Sequence, residues 1–555
     1  MQSSDKLLVQ FVVAAMAEHN ILKVVLSPGS RNASFAIAFD AHPEIQTLVV
    51  HDERAAAFIA LGWAQESQTP VAICCTSGSA CLNYYPALAE AYYRNIPLLA
   101  LTADRPAKWI NQGDGQTIVQ AEVFKNHAHA YLGFDEDTFE YNAQNTYQIQ
   151  SFLDVLYAPW KGPIHLNVGL NEPLYGLAPI QRFKFERRNT RTQEVPLPDF
   201  SILQDQKIMV LVGQMDPNTK LQNVLAQFAA FSNVVVLVEN TSNLQSELFN
   251  SCIDRSLNGF DPADSSFHPN VLISLGGAVV SKRIKAYLRQ TSLAVHWRLA
   301  SDFPQMNTYG TLTQCLPIDP VFFFESILNA DISLQNNNFQ GKWKAIDYIA
   351  KDKQALFETN PAQLYDYDVF SAIQDNIQGS CTLHLANSSV VRYAQLFDPI
   401  SGVIYHSNRG TSGIDGSVST AVGAALSAPK SAHLLICGDT SFIYDSNALW
   451  TQPFPKNLKI VIIQNHGGGI FQIIPGPATS PLRGQYFEAT HQKSPGKIAE
   501  GFGFEVVYLD QKESLSKTLS AFLMNPIQQI LEITTNQEQN AAVLQDFFNF
   551  VKNKK

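Results

Sequence analysis

The chain reads as an α/β protein made of three Rossmann-like domains, each a parallel sheet flanked by helices. Three observations point there. Short apolar runs rich in Val, Ile and Leu recur along the chain, each bounded by Gly, Pro, Ser, Asp or Asn. Between them lie stretches with apolar residues at helical spacing, such as Ala55–Gln65 and Ala80–Tyr93. Finally, 555 residues exceed what one hydrophobic core holds, so about three domains of ordinary size are expected.

In the first unit, about 1–185, strands are expected at Lys23–Leu26, Thr47–Val50, Val71–Cys75 and Pro97–Thr102, with one more within Gly162–Pro173. Four of these runs end in turn or polar chemistry: Ser27-Pro28-Gly29-Ser30-Arg31, His51-Asp52-Glu53-Arg54, Thr76-Ser77-Gly78-Ser79 and Ala103-Asp104-Arg105-Pro106. Four decorated strand ends in a row predict one working edge, since open parallel sheets bind ligands at their carboxyl ends. At the amino end, Leu7, Leu8, Phe11, Val12 and Ala15 mark one helical face. Asp5 offsets Lys6 and Gln10 interrupts the run, so a core helix fits better than a signal peptide.

The charged, Pro-containing stretch Phe183–Pro198 reads as a linker. A second unit, about 186–352, follows with runs at Ile208–Val212, Val234–Val238, Val271–Leu275 and Leu293–His296. Its one charged cluster of note is Ser281-Lys282-Arg283. The third unit, about 353–555, has runs at Thr382–Ala386, Val403–His406, His433–Cys437, Leu458–Gln464, Glu505–Tyr508 and Gln529–Ile533. The first and third units share a strand–helix alternation, which suggests a duplicated architecture.

Bulk properties exclude several classes. A composition of 46% hydrophobic and 16% charged residues is that of a soluble globular protein. A net charge of −10 repels both nucleic acid and anionic membrane surfaces, so neither is expected as a partner. Seven cysteines, with no CxxC pair, suggest buried thiols in a reduced, cytoplasmic chain. No HExxH spacing suggests zinc, and no GxGxxG follows a strand as an NAD oxidoreductase would require. No run is long and apolar enough for a membrane span.

The densest motif is Gly438-Asp439-Thr440 through Asn465-His466-Gly467-Gly468-Gly469, each part closing an apolar run. If both runs are parallel strands, Asp439 and Asn465 meet at one sheet edge. There they offer an anionic oxygen and an amide carbonyl, while glycines let bare backbone approach a phosphate. That donor set is an incomplete octahedron suited to Mg²⁺ that shares diphosphate oxygens and water. The same residue types also cap helices and start turns. Glu53, between a strand and the helix "RAAAFIALGWAQ", either complements a helix dipole or serves as a working carboxylate.

Several separate strings, in order, settle between these readings: "LSPGSRNASFAIAF", "HDERAAAFIALGWA", "TSGSACLNYYPALAEAYYRNIPLL", "TADRP", "GQTI", "NSSVVR" and "NRGTSGIDGSVSTAVGAA". Together they resemble the MenD family of menaquinone synthesis, within the thiamine-diphosphate decarboxylase superfamily, over the whole chain. The resemblance implies a pyrimidine-binding domain at 1–185, a central domain at 186–352 and a diphosphate-binding domain at 353–555. Glu53 would be the catalytic carboxylate beside the aminopyrimidine ring of thiamine diphosphate. Ile414 would bend the cofactor, and Gly438, Asp439, Thr440, Gly467, Gly468 and Phe471 would contact it. Asp439, Asn465 and the Gly467 backbone would hold Mg²⁺ (or Mn²⁺).

The implied reaction is decarboxylation of 2-oxoglutarate and addition of the resulting carbanion to isochorismate. Both substrates carry two carboxylates, which planar guanidinium forks suit. By resemblance, Ser30, Arg31, Arg105, Gln116, Asn387, Ser388, Arg392 and Arg409 would line the substrate site. Lys282 and Arg283 would reach in from the central domain, with Phe471 and Ile474 as an apolar wall. A homodimer or homotetramer follows, with Glu53 of one chain meeting Asp439 of another at the subunit interface. The alternatives are an acetohydroxyacid synthase or other 2-oxo acid decarboxylase, and a non-catalytic nucleotide-binding scaffold. Two positions depart from the usual pattern: His466 stands where the family has Asn, and Thr440 where many superfamily members have Gly.

Overall fold

A computed structural model describes residues 2–185, 195–300, 303, 306–330, 332, 334 and 337–552. Positions 186–194 of the expected linker lie outside them. The chain divides into two compact units: 1–191 with 410–432 and 444–458, and 192–409 with 433–443 and 459–555.

The first unit is built on a six-stranded sheet in the order Gln46–Val49, Lys23–Leu26, Val71–Cys75, Leu98–Asp104, Ile164–Gly169, Tyr131–Asp135. All its pairs are parallel, so every strand end faces the same way. A parallel sheet is covered on both faces, which is why its strands are continuous apolar runs and not alternating ones. The Leu7–Glu18 helix buries Leu8, Val9, Phe11, Val12, Ala15 and Met16 against it. The Glu53–Ser67 helix is buried almost all round and crosses the Ser417–Ser427 helix at backbone contact distance.

Two features here escaped the sequence pattern. The edge strand Tyr131–Asp135 has a half-exposed sequence, YLGFD, with neither alternation nor an apolar run. The antiparallel pair Gln2–Ser4 with Leu177–Pro179 is three residues long on each side, too short for a periodicity to show. The helix expected over Ala80–Tyr93 is a tight turn, Cys81–Tyr84, followed by an α-helix, Tyr85–Arg94. Pro86 fits there because the first turn of a helix has no use for its missing N–H.

The second unit holds two sheets. One is all parallel, in the order Val234–Val238, Ile208–Val212, Val271–Leu275, Val295–Leu299, Gln314–Leu316. The other runs Val403–His406, Cys381–Leu385, His433–Gly438, Leu458–Gln464, Gln529–Thr534, Glu505–Leu509. Cys381–Leu385 pairs in parallel with both its neighbours, as does Gln529–Thr534. This order makes His433–Gly438 and Leu458–Gln464 adjacent, so the residues that follow them share an edge.

Polar side chains tie the two sheets of this unit together. Gln214 Nε2 donates to the Ser407 carbonyl (2.7 Å), and Asn243 exchanges two hydrogen bonds with the Tyr405 backbone (2.7 and 3.0 Å). These braces hold the strand end that runs into Arg409. Among the described residues no helix is long and apolar enough to cross a membrane.

Candidate active site

In the first unit the strand ends carry the predicted polar residues together. Arg31 is buried, its Nη1 donating to the Leu170 carbonyl and its Nη2 to Glu172 Oε1, both at 3.0 Å. Arg105 lies beside it, with Nη1 2.8 Å from Asp114 Oδ2 and 3.9 Å from Glu172 Oε1. Glu172, whose side chain is 69% exposed, thus bridges the two guanidinium groups. Ser30 and Gln116 are exposed on the same loops.

A buried network fixes this edge. Thr102 Oγ1 bonds His165 Nε2 (2.8 Å) and Asn167 Oδ1 (2.7 Å), and Asn167 Nδ2 donates to Asp104 Oδ2 (2.9 Å). Gln120 adds a link from Asn167 to the Gly78 N–H (3.0 and 2.8 Å). Buried polar groups are usually paired in this way. Desolvation holds the His165 ring neutral, its pKa lowered to about 3.

Glu53 opens its helix, while the preceding Asp52 does the capping: its Oδ1 accepts the N–H groups of Arg54 (2.8 Å) and Ala55 (3.2 Å). With the cap supplied by Asp52, the Glu53 carboxylate is left half-buried at the end of the Val71–Cys75 strand. Burial raises its pKa, opposed by its own backbone N–H and assisted by the Asp52 charge. A carboxyl group held in this way keeps a proton more readily than an exposed one, which suits proton exchange. Ile414 sits half-buried in the loop before Ser417–Ser427. Buried Glu90 accepts the Gly410 and Thr411 N–H groups (2.8 and 2.7 Å) and so holds the start of that loop.

In the second unit Asp439 and Asn465 follow neighbouring strands and are both buried. Asp439 Oδ2 accepts the Gly467 N–H (3.1 Å) and lies 3.7 Å from His491 Nε2, while Oδ1 accepts the Thr440 hydroxyl (3.0 Å). Burial raises the Asp439 carboxyl, and the His491 charge opposes that most. Asn465 Nδ2 donates to Asp366 Oδ2 (3.1 Å), so its Oδ1 is the end left for a cation. The Gly467 carbonyl accepts the Gly469 N–H (2.9 Å) and keeps a second lone pair.

The backbone explains the glycines. Gly467 has φ +142°, and a Cβ there would fall 2.6 Å from the Glu488 carbonyl oxygen. The preceding His466 has φ +62°, a left-handed conformation that Asn and His adopt more readily than most residues. His466 in place of Asn is therefore a conformational equivalent. A Cβ on Gly438 would meet nothing within 4 Å, so the space beside Asp439 is open. One anionic oxygen, one amide oxygen, a free carbonyl lone pair and open space fit Mg²⁺ with a diphosphate. Phe471 and Ile474 lie half-buried just beyond, Phe471 with its ring 6.0 Å from that of Phe487.

The remaining predicted residues group at the end of the Cys381–Leu385 strand. Arg409 Nη1 donates to Asn387 Oδ1 (2.7 Å), whose Nδ2 donates to the Asn408 carbonyl (2.6 Å). Arg392 donates to the carbonyl of Ser388, a residue with φ +75°. Burial lowers the Arg392 pKa most and the Arg409 charge adds to it, while the Asp254 and Glu239 charges oppose. Guanidinium groups of this kind suit planar carboxylate ligands. Arg283 instead lies over the Phe548 ring (3.8 Å) and donates to Asn258 Oδ1 (3.1 Å), and Lys282 is exposed. On the same helix the Lys285 ammonium feels both Arg409 and Arg392; burial lowers its pKa most, ahead of the opposing Glu239 charge.

Three acids in this unit and its substrate group went unnoticed in the sequence. Glu239 is fully buried and accepts the Val280 and Ser281 N–H groups (2.7 and 2.8 Å); burial pushes its carboxyl to about 7. Asp254 bonds the Ser281 hydroxyl. Asp366, behind Asn465, is pushed to about 6 by burial, with hydrogen bonds from Thr535 and Asn465 opposing. Each reads in the sequence as an ordinary acid at a turn or in a helix's first turn, which is where acids usually sit.

Residues 7–125 match the N-terminal TPP-binding domain of thiamine pyrophosphate enzymes, and residues 388–533 match the C-terminal TPP-binding domain. Together with the paired strand ends, these matches place the chain among the thiamine pyrophosphate enzymes. Over nearly its whole length it is similar to 2-succinyl-5-enolpyruvyl-6-hydroxy-3-cyclohexene-1-carboxylate synthases. That of Flavobacterium psychrophilum is 37% identical over 547 residues, and that of Christiangramia forsetii 38% identical over 573, each match covering 98% of either chain. The Bacteroides thetaiotaomicron protein of that name is 35% identical over 583 residues, 99% of this chain and 100% of the relative. The chain belongs to the 2-succinyl-5-enolpyruvyl-6-hydroxy-3-cyclohexene-1-carboxylate synthase family.

Proposed function

We propose that the chain decarboxylates 2-oxoglutarate and joins the remaining four-carbon fragment to isochorismate, with thiamine diphosphate and Mg²⁺ (or Mn²⁺) bound. Bound thiamine diphosphate supplies the nucleophilic carbon and the electron sink for this chemistry. Asp439, the Asn465 carbonyl and the Gly467 carbonyl hold the metal, and the open face at Gly438 admits the diphosphate. Glu53 holds the proton that it shares with the aminopyrimidine ring. Arg31 and Arg105 on one edge, and Arg392 and Arg409 on the other, bind substrate carboxylates, with Glu172 giving way to one of them. Phe471 and Ile474 keep water from the reacting carbon.

The observation that carries this reading is the oxygen donor set of Asp439 and Asn465 on adjacent strand ends, in a chain of this family. The domain limits that go with it are 1–185, 186–352 and 353–555. The site is completed between chains of a homodimer or homotetramer, in the cytoplasm. An assay of CO₂ release tests it: 2-oxoglutarate with isochorismate and Mg²⁺–thiamine diphosphate should give turnover and the joined product. Release from pyruvate alone, with none from 2-oxoglutarate, would assign the chain to acetohydroxyacid-synthase-like chemistry instead.

A further inference from the structure

We infer that Asp366 is a positioning residue for the metal site, setting which end of the Asn465 amide meets the cation. The inference rests on the reading of Asn465 as a metal ligand. An asparagine side chain has two ends of nearly equal shape, one an acceptor and one a pair of donors. A divalent cation binds only the oxygen end, so an amide free to turn would lose part of its binding to the wrong orientation. Asp366 removes that freedom. Its Oδ2 lies 3.1 Å from Asn465 Nδ2, and an ionised carboxylate has no hydrogen to give, so the amide nitrogen must face it.

Asp366 is itself unable to turn. Its Oδ1 takes the Thr535 hydroxyl (2.6 Å) and Asn540 Nδ2 (3.0 Å), and its backbone N–H donates to Asn540 Oδ1 (2.9 Å). It opens the Asp366–Asn376 helix and is 2% exposed. The other buried carboxylate here, Asp439, follows the strand next to that of Asn465. Partners behind the ligands commonly set ligand orientation in this way, and losing one costs 10- to 100-fold in metal affinity.

The test exchanges the two groups. In Asp366→Asn, the new Nδ2 facing residue 465 turns the Asn465 amide around and presents its NH₂ to the cation. Calorimetric titration of Mg²⁺ in the presence of thiamine diphosphate should then show an affinity about 10- to 100-fold weaker than wild type. The metal-free melting temperature is measured alongside and should stay close to wild type. In Asp366→Asn/Asn465→Asp, the amide donates to the new carboxylate, whose other oxygen faces the metal, and affinity should return to within a few-fold of wild type. A residue that merely anchors its helix predicts no such recovery.

Wild-type Mg²⁺ affinity in Asp366→Asn overturns the inference, as does a double variant that binds no better than the single one. Should the single variant fail to fold, the double variant alone decides by the same measurement. Wild-type protein that takes up thiamine diphosphate without any divalent metal would instead remove Asn465 as a ligand, a separate failure of the underlying reading.

Discussion

Asp445 is fully buried, its Oδ2 accepting the Ser419 N–H (2.7 Å) and its Oδ1 the Ser419 hydroxyl (2.8 Å). Burial pushes its carboxyl to about 7, against an unfolded value of about 3.9. Between those limits the folded chain keeps a proton that the unfolded chain has released. Stability contributed by this group therefore falls as pH rises from about 4 to about 7, and is level above that. Glu239, also near 7, acts in the same direction. Asp445→Asn keeps both hydrogen bonds, since its oxygen can accept the N–H and its NH₂ can donate to the Ser419 oxygen. Denaturant midpoints at pH 5 and pH 8 should therefore differ less in this variant than in wild type, and equal differences would refute the assignment. Nothing near Asp445 in the sequence distinguishes it from a solvated acid, because desolvation comes from elements remote along the chain. Glu53 is a different case: its place between an apolar strand and a helix start also fits an acid that complements a helix dipole, and only the strings around it single it out.

At the scale of elements, the strands were the most legible feature. Lys23–Leu26, Val71–Cys75, Ile208–Val212, Val234–Val238, Val271–Leu275, Val403–His406 and Leu458–Gln464 form over the residues expected. Runs buried on both faces leave little choice of boundary. Half-exposed segments such as the edge strand Tyr131–Asp135 lack the run and fare worse, while the buried edge strand Val234–Val238 keeps it. Helix contacts are not legible at all. A Cβ on Gly62 would lie 1.9 Å from the Thr420 carbonyl oxygen, and one on Gly423 1.9 Å from that of Ile59. Gly→Ala inside an exposed helix usually stabilises by up to about 1 kcal/mol. Here the clash with the opposing backbone wins. Gly423→Ala should lose about 1–3 kcal/mol or more in equilibrium unfolding; a gain would mean that these helices do not cross so closely in solution.

At the scale of the whole molecule, the proposed site draws Glu53 and Asp439 from different chains, which mixing can test. Glu53→Gln and Asp439→Ala should each be folded and depressed in turnover by orders of magnitude, since one removes the proton partner and the other a metal ligand. Co-unfolded and reassembled at equal amounts, half the dimers carry one chain of each kind, and one of their two sites is intact. Turnover should recover to about a quarter of wild type if subunits pair at random. No recovery, in a mixture shown by mass spectrometry to contain the mixed dimer, would place both residues of a site in one chain.

The amino-acid sequence alone determined that this is an α/β chain of parallel sheets, where most strands begin, that Asp439 and Asn465 directly follow strands, and that Glu53 lies between a strand and a helix. Those are local matters of apolar runs and the turn residues that stop them. Only the tertiary structure decided that His433–Gly438 lies next to Leu458–Gln464, that Arg31 and Arg105 share Glu172, and that Lys285 feels the Arg409 charge. It likewise brought Asp366 against Asn465 across 99 residues of chain. Contacts of that kind depend on strand order and on the path of each crossover, and no short-range pattern of side chains encodes either.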